Sequence, residues 1–186
     1  MNSLVKSLAP KFVKLQVLTL RQNYRPQLED DAVETVARYC HDLRHLDLSK
    51  GLKLSDRTLY ALAHGYESVI ALANGCPHLR SLGLYYCQNI TDRAMYSLAN
   101  SHARNDARMW QNSSHDQEGL VNLNISQCTA LTPPAVQAVC DSFPGLHTCP
   151  GRHSLIISGC LSLTSVHCGC TFQTSRAGGA TLAADA

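Results

Sequence analysis

Charge is scarce in this sequence and almost evenly split. Only 16% of the 186 residues are Asp, Glu, Lys or Arg, and the formal net charge is +2. Such a balance gives neither a basic surface for nucleic acid nor a cationic face for anionic lipid. Long apolar runs are missing too, since nothing approaches the roughly 20 residues that cross a bilayer. Lys6, Lys11 and Lys14 interrupt the N-terminal stretch "MNSLVKSLAPKFVKLQVLTL", so no secretory-signal core forms there. The expectation is an intracellular protein of the nucleus or cytoplasm, without a nucleic-acid or membrane partner and with its thiols reduced. Also lacking are a phosphate-binding glycine loop, a nucleophile–base pairing and a paired-carboxylate motif. No enzymatic activity and no cofactor are expected.

What the sequence does have is repetition. "LQVLTLRQN" from Leu15, "LRHLDLSKG" from Leu43, "LRSLGLYYC" from Leu79 and "LVNLNISQC" from Leu120 align as L-x-x-L-x-(L/I)-x-x-(N/C/G). "RHSLIISGC", Arg152 to Cys160, is a weaker fifth copy. Apolar residues alternate through each copy, which is the period of a strand with one face buried. Strands are expected near residues 17–20, 45–48, 81–84, 122–125 and 154–157.

Each strand is followed by a helix start: "LSDRTLYAL", "ITDRAMYSL" and "LTPPAVQAV". Ser55, Thr91 and Thr132 suit the N-cap, where a side-chain oxygen accepts from an amide of the first turn. Asp56 and Asp92 suit the positive end of the helix dipole, and Pro133 suits the first helical position. A strand-then-helix unit of about 20–29 residues is a leucine-rich repeat, whose apolar face is buried only by stacking on its neighbours. The expected fold is an α/β leucine-rich-repeat solenoid of about five irregular repeats, with parallel strands on the concave face and helices on the convex face. Cys40, Cys76, Cys87, Cys128 and Cys160 recur at strand exits or helix ends, where a thiol serves as a small buried hydrophobe.

The stretch "CPHLRSLGLYYCQNITDRAMYSLA", Cys76 to Ala99, resembles the cysteine-containing repeat of F-box/LRR proteins. "KFVKLQVLTLRQN", "QLEDDAVETVARYCHDL", "LNISQCTALTPPAVQAVCDSFPGLHTCPGRHSLIISGC" and "LTSVHCGC" are similar to the plant members related to S-phase kinase-associated protein 2. The resemblance covers residues 1 to about 170 with gaps. It implies the substrate-recognition part of a receptor in an SCF-type ubiquitin ligase, acting in the degradation of cell-cycle regulators. The chain begins roughly where an F-box would end, so the Skp adaptor is not an expected partner of these residues. The alternative is a truncated, non-catalytic leucine-rich-repeat binding protein that competes with the complete receptor.

Two places break the repeat. Equivalent strand positions Leu20 and Leu48 are 28 residues apart, but Leu48 and Leu84 are 36 apart. The segment between reads "LYALAHGYESVIALANGCPHL", with two helix ends and no strand. An internal deletion with a junction near 65–66 accounts for this and predicts disturbed stacking. A single long helix over Asp56–Asn74 is the alternative, since Leu59, Leu62, Tyr66, Val69 and Ala73 form one stripe. The polar stretch 100–119 lacks any period and is expected to be a loop. Residues 1–170 then form the repeat domain, and 171–186 a disordered tail.

Cys149, His153, Cys160, His167, Cys168 and Cys170 follow C-x3-H-x6-C-x6-H-C-x-C, which matches no common structural zinc template, so no metal is expected. Candidate binding residues lie instead on the concave face, whose outward positions include Thr19, Ser49, Ser81, Asn122 and Ser126. Arg21, His45, Asp47, Tyr85, Tyr86 and Asn124 are the leading candidates for contacting a protein substrate, because Tyr and Arg are enriched at binding hot spots.

Overall fold

The computed structural model describes residues 1–23, 27–64, 75–106 and 119–170. Five short strands form one parallel sheet in sequence order: β1 (Val17–Thr19), β2 (His45–Asp47), β3 (Ser81–Gly83), β4 (Asn122–Asn124) and β5 (Leu155–Ile156). Helices α1 (Asn2–Leu8), α2 (Asp30–Tyr39), α3 (Asp56–His64), α4 (Asp92–Asp106) and α5 (Pro133–Ser142) alternate with them. After β5 the chain makes a 3₁₀ turn, Leu161–Ser165, where the earlier repeats place an α-helix. Among the described residues, no helix is long and apolar enough to cross a membrane.

The alternation explains the core. Leu18, Leu46, Leu82, Leu123 and Leu155 stand in register across the sheet. A second apolar row, Leu48, Leu84 and Ile125, follows the three central strands and is wholly buried, while its outer members Leu20 and Ile157 are half-buried. Removing one such side chain from water contributes about 2 kcal/mol. Helix faces close the other side, through Val33 and Val36 of α2, Leu59 and Leu62 of α3, Met95 of α4 and Val136 and Val139 of α5. The α/β solenoid with parallel strands is thus the observed fold, with each strand one or two residues shorter than the sequence pattern implies.

Two polar ladders tie the repeats together. Asp30 at the start of α2 accepts hydrogen bonds from the Ser55 amide (2.9 Å) and hydroxyl (2.7 Å), and from the Thr58 hydroxyl (2.6 Å). Asp56 takes the Thr91 amide (2.7 Å) and hydroxyl (2.6 Å), and Asp92 takes those of Thr132 (2.8 and 2.6 Å). The cap hydroxyls therefore donate to the preceding repeat. Ser55 and Thr91 also lie 3.4 Å from amides of their own helices, and Thr132 makes no cap bond to its helix. The second ladder is made of thiols. Cys87 donates to the Leu48 carbonyl (3.4 Å), Cys128 to that of Leu84 (3.1 Å) and Cys160 to that of Ile125 (3.3 Å). Each of these carbonyls already accepts a turn amide, from Gly51, Cys87 or Cys128, and the thiol adds a second bond beyond filling space.

The long interval between the second and third copies leaves the sheet undisturbed. β2 pairs directly with β3, His45 opposite Ser81, in the same register as its neighbours. Helix ends elsewhere close with a bond four residues back, Cys40 amide to Val36 carbonyl. In the second repeat the Cys76 amide makes the equivalent bond to Leu62, fourteen residues back (2.9 Å). The strands on either side of the long interval therefore keep their register, and the expected loss of register does not occur. Gly75 sits against the helix turn made by Ala61 and Leu62, so close that a Cβ would strike the Leu62 carbonyl.

Other expectations change as well. Residues 100–106 of the stretch expected to be a loop extend α4 to Asp106. A helix turn on the surface bonds its own backbone and needs no apolar stripe, so a search for period misses it. Ser49 and Ser126, expected on the concave surface, are buried. Each lies just before a residue in the left-handed region, Lys50 (φ 64°) or Gln127 (φ 63°), and this turn folds the chain inwards. Of the long helix expected over Asp56–Asn74, Asp56–His64 is helical, and residues 65–74 lie outside the described residues. The 65–66 junction, the rest of the polar stretch (107–118) and the tail 171–186 lie outside the described residues.

Candidate functional site

The concave face is built by the strand residues that flank the buried central row. It forms a groove of about 290 Å³ crossing all five strands, lined by Thr19, His45, Asp47, Ser81, Gly83, Asn122, Asn124 and Ile156 among others. Neighbouring strands are about 4.8 Å apart, so the groove is roughly 19 Å across. A small volume over that width makes it shallow. Gly83 brings no side chain to the middle of the groove, and His45 and Asn122 stand exposed on either side of Ser81 in the same row.

Of the six residues singled out from sequence, three line this groove: His45, Asp47 and Asn124. Arg21 reaches it through Asp47, with Nη2 2.9 Å and Nε 3.2 Å from the same carboxylate oxygen. Asp47 and Asn124 also have a structural task. Their Oδ1 atoms accept the amides of Ser49 (2.9 Å) and Ser126 (3.0 Å), closing the turn after each strand. Tyr85 and Tyr86 do not line the groove. They occupy the turn after β3, with ring centroids 6.1 Å apart and planes tilted by 37°. Tyr86 takes the left-handed conformation of this turn, φ 60°. Both residues are 37% exposed, so they offer an aromatic contact beside the groove.

A second constellation lies at the C-terminal end. The ligand atoms of His147, Cys149, Cys168 and Cys170 all fall within 4.8 Å of one another. Two parts of the chain create this meeting. The loop between α5 and β5 runs over residues 143–154, where the connection from α2 to β2 needs only 40–44. Ser154 holds that loop shut by accepting from the His147 amide (2.8 Å) and donating to the Gly145 carbonyl (3.0 Å). The final segment returns along α5, where Gln137 donates to the His167 carbonyl (3.0 Å) and accepts from its amide (3.1 Å). The Cys168 amide then reaches the Thr148 hydroxyl (3.1 Å).

The thiols here differ chemically from those of the core. Burial pushes Cys76, Cys87 and Cys140 up to about 12, with the thiol kept neutral. Burial also acts to raise Cys168, but hydrogen bonding from Cys170 and Thr148 outweighs it and brings the group down to about 5. Hydrogen bonding to Cys168 and Cys149 raises Cys170 to about 12. Cys168 and Cys170 sulfurs are 2.7 Å apart. The sequence pattern grouped Cys149, Cys168 and Cys170 with His153, Cys160 and His167. The fold keeps Cys160 in the thiol ladder and supplies His147 instead. The pairing H-x-C with C-x-C was the available signal, and it becomes visible only when the two ends of the loop are known to meet.

No family model matches the chain. Among solved structures it is similar to the crystal structure of the Rad7 and Elc1 complex in yeast, at 13% sequence identity and a TM-score of 0.39. That alignment covers 73% of this chain and 37% of the yeast chain. The chain therefore spans little more than a third of the length of that neighbour, and the functional reading rests on the site itself.

Proposed function

We propose that this protein is a protein-interaction module whose concave face receives a protein partner. The observation that supports it most is the shape and chemistry of the groove. A rigid buried leucine row backs a shallow, polar strip about 19 Å across. Enclosed pockets suit small molecules, whereas an open strip of this kind suits an extended segment or loop of another protein. The cysteine-containing repeats resemble those of F-box/LRR proteins. On that ground the module serves as the substrate-recognition part of an SCF-type ubiquitin ligase receptor, in nucleus or cytoplasm, with cell-cycle regulators as its substrates. Catalysis belongs to other subunits.

Photo-crosslinking amino acids placed at His45 and Asn122, and at Arg93 on the helical side as a control, test this reading. Capture of a protein from both concave positions and not from Arg93 is expected, and that protein's lifetime in cells should lengthen when the chain is removed. Equal capture from Arg93 would overturn the concave site. An unchanged lifetime would overturn the ligase role while leaving the binding face intact.

A further inference from the structure

We propose that His147, Cys149, Cys168 and Cys170 bind one zinc ion, which fastens the C-terminal segment to the end of the solenoid. Three thiols and one imidazole are a familiar donor set for structural zinc, and soft thiolate ligands favour zinc over magnesium or calcium. Zinc–sulfur bonds are about 2.3 Å long, so a tetrahedral site has sulfur–sulfur edges of about 3.8 Å. The four ligand atoms already lie within 4.8 Å of each other. Closing on an ion needs small side-chain adjustments, with Cys168 and Cys170 moving apart by about 1 Å.

Two further observations point the same way. Cys87, Cys128 and Cys160 each donate to a backbone carbonyl, whereas Cys168 and Cys170 meet each other. The Nδ1 atom of His147 is buried without a hydrogen-bond partner. A buried polar atom left unpaired costs about 1–3 kcal/mol, and a metal bond to it removes that cost. The Nε2 atom lies 3.4 Å from Arg152 Nη1. Arginine has only donors, so it holds Nε2 as an acceptor. Zinc on Nε2 takes that lone pair, and zinc on Nδ1 places the ring proton on Nε2; in both cases the exposed Arg152 side chain turns to solvent. Each ligating sulfur that is still protonated gives its proton to water as its bond to zinc forms, so affinity should rise with pH.

The position gives the ion a purpose. The last described unit is a two-residue strand followed by a 3₁₀ turn, which has less of its own helix to pack than the earlier repeats. The cluster joins the loop before β5 to the segment after that turn, across the end of α5.

The test uses the full chain, purified with a non-thiol reductant and without chelator. Bound zinc is counted by elemental analysis, and cobalt replaces it for absorption spectroscopy. One zinc per chain is expected, with an intense thiolate-to-cobalt band and the visible bands of a tetrahedral ion. Both should be lost in a Cys149→Ser/Cys168→Ser variant and kept in Cys140→Ala, whose thiol lies outside the cluster. If the double variant does not fold, His147→Cys serves instead: it keeps four ligands and should retain one metal with a shifted cobalt spectrum. Absence of metal from the wild-type chain would overturn the proposal. So would zinc retained at full stoichiometry by a folded double variant, or recovery of Cys168 and Cys170 as a disulfide in the metal-free protein.

Discussion

The middle of the solenoid and its C-terminal end solve the same problem with different chemistry. Between β2 and β4 each repeat is joined to the next by a carboxylate that accepts a Ser or Thr amide and hydroxyl, and by thiols that reach a neighbouring carbonyl. At the end the aspartate position carries Pro133, whose side chain has no acceptor, and the helix after β5 is replaced by a short turn. The thiols there gather into a cluster. Repetition is self-supporting where regular units stack on each other, and an irregular unit is held by other contacts.

Alkali separates the two regions most strongly. Cys87 is raised from 9.0 to about 12 by burial, so its thiol stays neutral in the folded chain while it ionises in the unfolded one. A group raised in this way stabilises the fold fully below pH 9 and loses that contribution as pH climbs towards 12. A three-unit shift corresponds to about 4 kcal/mol at most. The urea midpoint should fall between pH 9 and 10.5, and a Cys87→Ala variant should show a shallower slope over that window. An unchanged slope would mean that this thiol is not the source.

Core truncation comes next in size. Leu82 is buried in the central row and Leu161 is 91% exposed beside the final turn. Leu82→Ala should cost about 3 kcal/mol in urea unfolding, and Leu161→Ala less than about 0.5 kcal/mol. Comparable losses would show that the terminal turn is packed against something in solution.

The carboxylate ladder gives a smaller effect. Asp56→Ala leaves the Thr91 amide and hydroxyl without their acceptor, at a cost of about 1 to 2 kcal/mol. Asp56→Asn keeps an acceptor and should recover part of this. If both substitutions are silent, water replaces the carboxylate without loss, and the sheet, the core and the thiols join the repeats without it.

Much of this was legible beforehand because a repeat states its rule several times. The leucine alternation located all five strands and their parallel order. The second ladder was half-legible: the cysteines marked buried positions, but the carbonyls they reach belong to residues 35 to 44 positions away. The same distance hid the ladder of aspartates, since Asp56 was read as a partner of its own helix dipole. His147 went unnoticed for a related reason. It occupies the place held by Arg44 and Arg80 in earlier repeats, where each backbone carbonyl receives two amides of the next strand. Its side chain acquires a different surrounding only because the loop after it is long. On the concave face, spacing told which side chains point outwards but not that Asp47 and Asn124 were already occupied closing turns.

The finest distinction lies in a single backbone turn. Lys50, Tyr86, Gln127 and Gly159 occupy equivalent positions two residues beyond the second apolar row, and all have positive φ between 60° and 76°. Three of them carry side chains in a conformation that costs an L-residue about 1 kcal/mol or more. Glycine removes that strain but loses roughly 0.5–1 kcal/mol of freedom on folding. Lys50→Gly should therefore stabilise by only about 0.5 kcal/mol. Gly159→Ala should do the reverse, losing about 1 kcal/mol, because the new Cβ adds backbone strain and meets the Gln127 amide. That amide can swing away, so most of the loss belongs to the backbone. The opposite signs are the readout: matched thermal melts should move up for the first variant and down for the second. If both move down, the Lys50 side chain contributes packing that outweighs its strain, and the middle turns are held by their side chains rather than merely tolerated.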